Sequence, residues 1–270
     1  MLNHADAGQY YDEIGAFYEL VWGDNIHMGF WHDPDDDHSL AVAQDNLTDM
    51  FIEQTLQHGG TAVLDIGCGV GQPAIRLAEK SVCQLTGITI SQRQVRQALT
   101  RVHEKGLNGR VRCAYMNAES LAFPSASFDV VWALESIFHM RDRERVFGEI
   151  YRALRVNGRL ILTDFVAKRP LAPTQQLFMS QLFQMQPLLT AQAYAERLEQ
   201  SGYVVEQFRD ISANIAPTIE EWKAQIARQQ SELTRIYNAS FTSMIEAYTP
   251  QIEETYRQDM GYIFAVVRKT

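Results

Sequence analysis

The chain has little of what marks a secreted, membrane-embedded or nucleic-acid-binding protein. Its three cysteines among 270 residues, Cys68, Cys83 and Cys113, form no CxxC motif and cannot all pair. That argues against a disulfide framework and for a reducing, cytoplasmic compartment. Cations are outnumbered: 24 Lys and Arg stand against 33 Asp and Glu, a formal charge of −9. The pI is near 5.3. No basic footprint for nucleic acid or an anionic membrane is present. No apolar run approaches the roughly 20 residues of a membrane helix, and the opening MLNHADAGQYYDE has neither a cationic nor an apolar signal region. Repeats, low-complexity tracts and Gly/Ser linkers are missing too. What remains is a chain with 46% hydrophobic residues, long enough for one sizeable core.

In the middle of the chain, short apolar runs alternate with helical periodicity. Residues 61–66 (TAVLDI), 84–90, 111–116, 128–134 (FDVVWAL) and 159–165 (RLILTDF) read as strands, and 74–79, 92–104 and 143–154 as helices, with Asn157-Gly158 as a turn. Strands that are apolar on both faces belong in a parallel sheet covered by helices on each side. Right-handed crossovers then give a doubly wound α/β layer. Strand-like 203–209 and 262–268 come much later. Helical patterns fill 9–22, 39–58 with Ser39 as N-cap, 177–189, and 217–256. One domain over 1–270 is expected, with a cofactor-binding core at 59–167. Helical cap elements within 1–58, 168–200 and 213–257 would lie over the carboxyl edge of the sheet.

The sharpest local signal is Asp65-Ile66-Gly67-Cys68-Gly69-Val70-Gly71, which follows the first strand. Alternate glycines allow positive φ and let backbone N–H groups approach a ligand. In a doubly wound sheet this turn sits where ligands bind. The spacing is GxGxG rather than GxGxxG, GK[ST] is missing, and strand two ends Gly87-Ile88-Thr89-Ile90-Ser91 without the acid that grips a dinucleotide ribose. Neither a dinucleotide nor a phosphate-loop site is met.

VLDIGCGVG resembles the first motif of the S-adenosylmethionine-dependent methyltransferases with a Rossmann-like sheet. GITISQRQVRQA, WALESIFHMRDR, LRVNGRLILTDF and the entry segment from Trp22 to Trp31 resemble further segments of their small-molecule subgroup, which includes tocopherol, sterol and rebeccamycin-sugar methyltransferases. The resemblance spans Trp22 to Phe165, with five segments in order. It implies a mostly parallel seven-stranded sheet whose last strand is antiparallel. It also implies S-adenosylmethionine as cofactor and S-adenosylhomocysteine as product. By position, Gly67, Gly69 and Gly71 would line the methionine and ribose portions, and Asp65 would fix the loop. Ser91 and Gln94 match a Ser-x-x-Gln pair that replaces the ribose-gripping acid, since both side chains donate and accept. Asn117-Ala118 takes the place of an Asp-Ala pair at the adenine edge, and Leu134 completes the expected contacts. Ser91 also reads as the N-cap of the helix from Gln92, and both roles can hold together. Asn117 reads equally as a turn residue.

Methyl transfer from a sulfonium is an in-line displacement, so the protein contributes alignment and exclusion of water. A hydroxyl acceptor must also lose a proton, which calls for a neutral base within reach. His139 follows strand four and Asp164 ends strand five, both at the carboxyl edge. An imidazole suits a base near neutral pH. The resemblance assigns histidine and aspartate these places in O-methylating members, with Asp164 orienting His139 or adding a second polar contact. Phe138 stands where those members often carry a first histidine, so oxygen and carbon acceptors both remain open. His139 also reads as a satisfied histidine at a helix start. His27, in an aromatic entry loop, reads as a ligand contact or as packing. Tyr18 and Trp22 near the first helix, with Phe138 and with Phe178, Met179 and Phe183 on the cap, are the expected walls of an apolar acceptor pocket. Such stripes at helical spacing are also what a core requires. Asp33-Pro34-Asp35-Asp36-Asp37-His38 clusters oxygen ligands but fits no EF-hand spacing, and reads as a solvated acidic turn rather than a metal site.

The sequence therefore predicts a methyltransferase for a hydrophobic small molecule in a biosynthetic or tailoring pathway. The alternatives are a non-catalytic module that holds the nucleoside, or methylation coupled to cyclisation of a terpenoid acceptor. Self-association through 217–256 and the first helix fits the spacing, as does packing within one chain.

Overall fold

The apolar runs do pair into one sheet. The computed structural model, which describes residues 6–33 and 36–270, has seven strands in the order β3-β2-β1-β4-β5-β7-β6. They are β1 (Ala62–Ile66), β2 (Gln84–Thr89), β3 (Val111–Tyr115), β4 (Phe128–Leu134), β5 (Leu154–Ala167), β6 (Tyr203–Asp210) and β7 (Met260–Lys269). The first five are parallel, and β7 runs antiparallel to both β5 and β6. The strand order reverses between β1 and β4, which makes their carboxyl ends the crevice where ligands settle.

Helices cover both faces. On one face α2 (Leu40–Gln57), α3 (Gln72–Lys80) and α4 (Gln92–Glu104) bury Phe51, Ile75 and Val102 against Trp132, Ile161 and Phe264. Trp132 is wholly buried and satisfies its Nε1–H on Thr55 Oγ1 at 2.8 Å, as a buried indole must. On the other face α5 (Arg143–Ala153) and α7 (Ala191–Gln200) bury Phe147, Ile150, Tyr194 and Leu198 against Leu160, Leu162 and Ile263. The cap is a third cluster, made by α1 (Ala7–Val21), α6 (Pro173–Phe183), α9 (Pro217–Ile236) and α10 (Ala239–Gln258). The short α8 (Ser212–Ile215) leads into it.

Several boundaries differ from the expectation for definite reasons. The 217–256 stretch is two helices, broken where Asn238 takes φ 121° and caps α10 by accepting from Phe241 N at 3.1 Å. The 177–189 helix stops at Phe183, because Gln184 turns left-handed at φ 53°. Asn157-Gly158 does not end an element: Asn157, at φ 61°, lies inside β5, which starts directly after α5. Helix α7 has no counterpart in the sequence reading, and neither α7 nor α2 belongs to the cap, since both lie on the sheet faces. Of the acidic run, Pro34 and Asp35 lie outside the described residues, and Asp36 Oδ1 accepts from His38 N at 3.1 Å.

Candidate active site

Two cavities meet at the crevice. The first, about 370 Å³, lies over the carboxyl ends of β1 to β4. Its floor and walls include Gly67, Gly69, Thr89, Gln94, Asn117, Ala118, Leu134 and Ser136, and α1 roofs it with Asp6, Gly8 and Tyr11. The roof is close. A Cβ on Gly8 would stand 2.1 Å from the Ile90 carbonyl oxygen, so only glycine lets α1 cross the end of β2 there. Asp12 fastens the same crossing by accepting from Ser91 Oγ at 2.5 Å and Arg93 N at 3.0 Å.

The glycine turn divides its labour. Gly67 has φ +74°, and a Cβ there would lie 2.4 Å from that of Ser136. Gly69, at φ +53°, faces open space, and Gly71 lines none of the cavities described here. A Cβ on Gly71 would meet Ala98 at 3.1 Å, so it serves the packing of α3 on α4 rather than a ligand. Asp65 does not fix the loop either: its Oδ2 is buried without a hydrogen-bond partner, and burial raises its carboxyl to about 7. It lines a small side cavity with Gly67, Gly69 and His27. Ser136 Oγ, in the main cavity, is likewise buried and unpartnered. Orphaned polar atoms of this kind are rare unless a ligand or water completes them. A cationic amino acid moiety would meet Asp65, so the donor set fits S-adenosylmethionine.

The expected Ser-x-x-Gln pair is split. Ser91 is fully buried and spends its hydroxyl on Asp12 and on capping α4, accepting from Gln94 N at 3.0 Å. Gln94 alone reaches the cavity, its Oε1 accepting from Thr89 Oγ1 at 2.7 Å. Asn117 is exposed on the cavity wall, with Oδ1 accepting from Glu119 N at 2.9 Å as in an Asx turn.

The second cavity is apolar and small, with about 50 Å³ free. Tyr18, Trp22, His27, Phe138 and Phe183 line it as expected. Phe178 and Met179 do not. Phe178 faces a separate crevice between α1, α6 and α10, and Met179 is buried in the main core. The helix turns their side chains away from the acceptor side while presenting Phe183. His27 is a packing histidine: Nδ1–H donates to the Met28 carbonyl at 2.8 Å, Nε2 faces Thr48 Oγ1 at 3.3 Å, and burial lowers its pKa to about 4.

Tyr11, Ile26, Glu135 and His139 line both cavities and so mark the place where they join. His139 is half-buried, and desolvation lowers its pKa to about 4, so the ring is neutral. Its Nδ1 lies 3.2 Å from the Gln184 carbonyl, which can only accept, so Nδ1 carries the proton. Nε2 then presents its lone pair to Tyr11 Oη at 3.0 Å. Glu135, at φ +50° just past β4, is raised to about 8 by burial. It accepts from Tyr262 Oη at 2.5 Å and from Met28 N at 2.6 Å.

Asp164 does not orient His139. It points to the opposite face of the sheet, where Tyr194 Oη donates to it at 2.9 Å and burial raises its carboxyl to about 7. Strand alternation is the reason: Phe165 faces the acceptor side, so its neighbour cannot. The orienting group is instead the Gln184 carbonyl, freed by the left-handed end of α6, and no sequence signal marks it. Glu135 was legible in principle, as the acid that ends the apolar run FDVVWALE. Tyr11 was hidden within an aromatic stripe.

A model of mycolic acid cyclopropane synthetases matches residues 2–266. A (+)-O-methylkolavelool synthase of Herpetosiphon aurantiacus is 37% identical over 265 residues, covering 98% of this chain and 94% of that one. A 27-O-demethylrifamycin SV methyltransferase of Amycolatopsis mediterranei is 32% identical over 275 residues, covering 98% and 97%. Among solved structures, the [4+2]-cyclase SpnF superposes with a TM-score of 0.85 at 31% identity, covering 97% of this chain and 94% of that one.

Proposed function

The chain belongs to the mycolic acid cyclopropane synthetase family and is an S-adenosylmethionine-dependent methyltransferase, and from its paired cavities we propose that it methylates a hydroxyl group on an apolar, terpenoid-class small molecule. One observation carries the choice of oxygen: a neutral imidazole nitrogen, its other nitrogen fixed as a donor, faces a hydroxyl at 3.0 Å where the two cavities join. A carbon acceptor would need a base only after the transfer, to take a proton from the cation it forms, whereas here the lone pair already faces a hydroxyl.

When bound, the cofactor supplies a methyl group already activated on a sulfonium. Gly67 and Gly69 would carry its methionine end, with Asp65 beside the ammonium. Gln94 would meet the ribose hydroxyls, and Asn117, Ala118 and Leu134 would flank the adenine. Tyr18, Trp22, Phe138 and Phe183 hold the acceptor and exclude water, which strengthens each electrostatic contact within. His139 Nε2 takes the hydroxyl proton, directly or through Tyr11 Oη, as the oxygen accepts the methyl group. Its tautomer is set beforehand by Gln184. Glu135 is protonated at neutral pH and keeps the join free of a net negative charge. The (+)-O-methylkolavelool synthase relative makes an O-methylated product by its name, which agrees with an oxygen acceptor.

The test is transfer of a deuterated methyl group from S-adenosylmethionine to a series of prenols and cyclic terpene alcohols, with the product assigned by mass spectrometry and NMR. Methyl ethers are expected. Methyl groups on carbon, or cyclised product without added methyl as the SpnF likeness would suggest, would overturn the oxygen assignment.

A further inference from the structure

The acceptor chamber is too small for the acceptor class it fits. About 50 Å³ is free within it, whereas pockets for drug-sized molecules run to about 300–1,000 Å³. On its far side from the cofactor, Phe165, Ile219 and Tyr256 form a partition, and these three also line an outer vestibule of about 870 Å³. The partition is aromatic: Tyr256 meets Phe165 edge-on at 5.5 Å between ring centres, and Phe165 meets Tyr262 at 5.1 Å. Tyr256 lies on the last turn of α10, which contains Pro250 one and a half turns earlier. Proline within a helix removes a backbone hydrogen bond and allows bending.

We propose that the vestibule is a second acceptor subsite: the reacting hydroxyl sits at His139 while the body of an elongated acceptor passes between Phe165 and Tyr256 into the outer space. This rests on the reading of the chain as a methyltransferase for apolar alcohols, and adds where the rest of the molecule goes. The crevice that holds Phe178 also adjoins the chamber, through Phe17 and Phe183, but leaves only about 60 Å³. Chemistry selects the far end as well. Lys168 Nζ donates to the Arg257 carbonyl at 2.8 Å, and Arg257 pairs with Glu220 at 2.6 Å. Asp36, Asp37, Glu220 and Glu221 also line the vestibule, four carboxylates against Lys168 and Arg257, so its charge disfavours a phosphate or carboxylate at the far end of the acceptor.

Two measurements test this. Geranylgeraniol with a diazirine at the end remote from its hydroxyl is irradiated with the full chain and S-adenosylhomocysteine, and the adduct is mapped. Labelling of 213–219 or 256–261 is expected; labelling of α1 or α6 would overturn the proposal. In parallel, Ala216→Trp fills the vestibule from an exposed position. It should lower kcat/KM for geranylgeraniol about tenfold or more while geraniol turnover and S-adenosylmethionine affinity stay within about twofold. An equal loss for both alcohols, or no loss for either, would count against the subsite. Should the wild type methylate no alcohol and take up no label while still binding S-adenosylmethionine, the functional reading itself fails and the subsite with it.

Discussion

The two cavities are built on different principles. The cofactor side is built on a glycine turn, strand ends and helix starts, mostly within residues 67–141, closed by the α1 roof, Ile26, Gln184 and Gln186. The acceptor side is made of side chains from α1, the entry loop, the segment after β4, β5, α6, α9 and α10, spread over more than 230 residues from Tyr11 to Tyr256. A backbone site tolerates little, because torsion angles and close approaches set it. A side-chain site can be reshaped one residue at a time without disturbing the sheet beneath. One scaffold can thus keep its methyl donor while its acceptor changes.

The contrast is most easily broken at Gly67. With φ +74° and a Cβ position 2.4 Å from Ser136, Gly67→Ala combines left-handed strain with a clash. We expect a loss of S-adenosylmethionine affinity on the order of 100-fold by calorimetry, with the far-ultraviolet circular dichroism retained. Next comes the join. His139→Ala should lower kcat by about 100-fold or more and leave cofactor affinity unchanged. In the wild type, a base whose pKa lies near 4 gives a rate that does not fall as pH drops from 8 to about 6.

A smaller effect separates the two sides by pH. Asp65, raised to about 7, must ionise to meet a cationic donor, so S-adenosylmethionine affinity should rise with pH through that value, and Asp65→Asn should flatten the slope. Glu135, raised to about 8 by burial, acts instead on the free protein. Its folded-state pKa exceeds its unfolded one, so the stability it contributes is present below about pH 4.5 and is lost as pH rises through 8. Glu135→Gln should therefore flatten the decline of the melting temperature between pH 6.5 and 8.5, measured by calorimetry. His27 and His139, both lowered to about 4, have the opposite sign, and their stability is lost as pH falls from 6.5 toward 4. The smallest effect is expected at Ser91. It is spent on capping α4 and on Asp12, so Ser91→Ala should cost about 1 kcal/mol in stability with cofactor affinity nearly unchanged.

The same contrast explains what the sequence disclosed. The strands from β1 to β4 were readable to within a residue or so because their apolar runs are continuous and end at glycine, proline or polar punctuation. The glycine turn was readable from its local spacing, whereas Gln94 and the Asn117-Ala118 pair came from the family resemblance and lie along the same cavity. Asp164 was misplaced because register decides which face a strand residue joins, and a segment apolar on both faces does not declare it. Ser91 was half right: the capping role is local, whereas Asp12, 79 residues away in sequence, is not. Phe178 and Phe183 share one helix, yet only the second reaches the acceptor, because that depends on how α6 is rotated against its neighbours.

Helix α1 has a consequence for the order of binding. It supplies Tyr11 to both cavities and roofs one of them, so a shift of this helix on binding either molecule changes the surface offered to the other. Thermodynamic reciprocity then requires that the factor by which the nucleoside improves acceptor affinity equal the factor by which the acceptor improves nucleoside affinity. Helix α1 thereby ties the two dissociation constants together through one shared coupling factor.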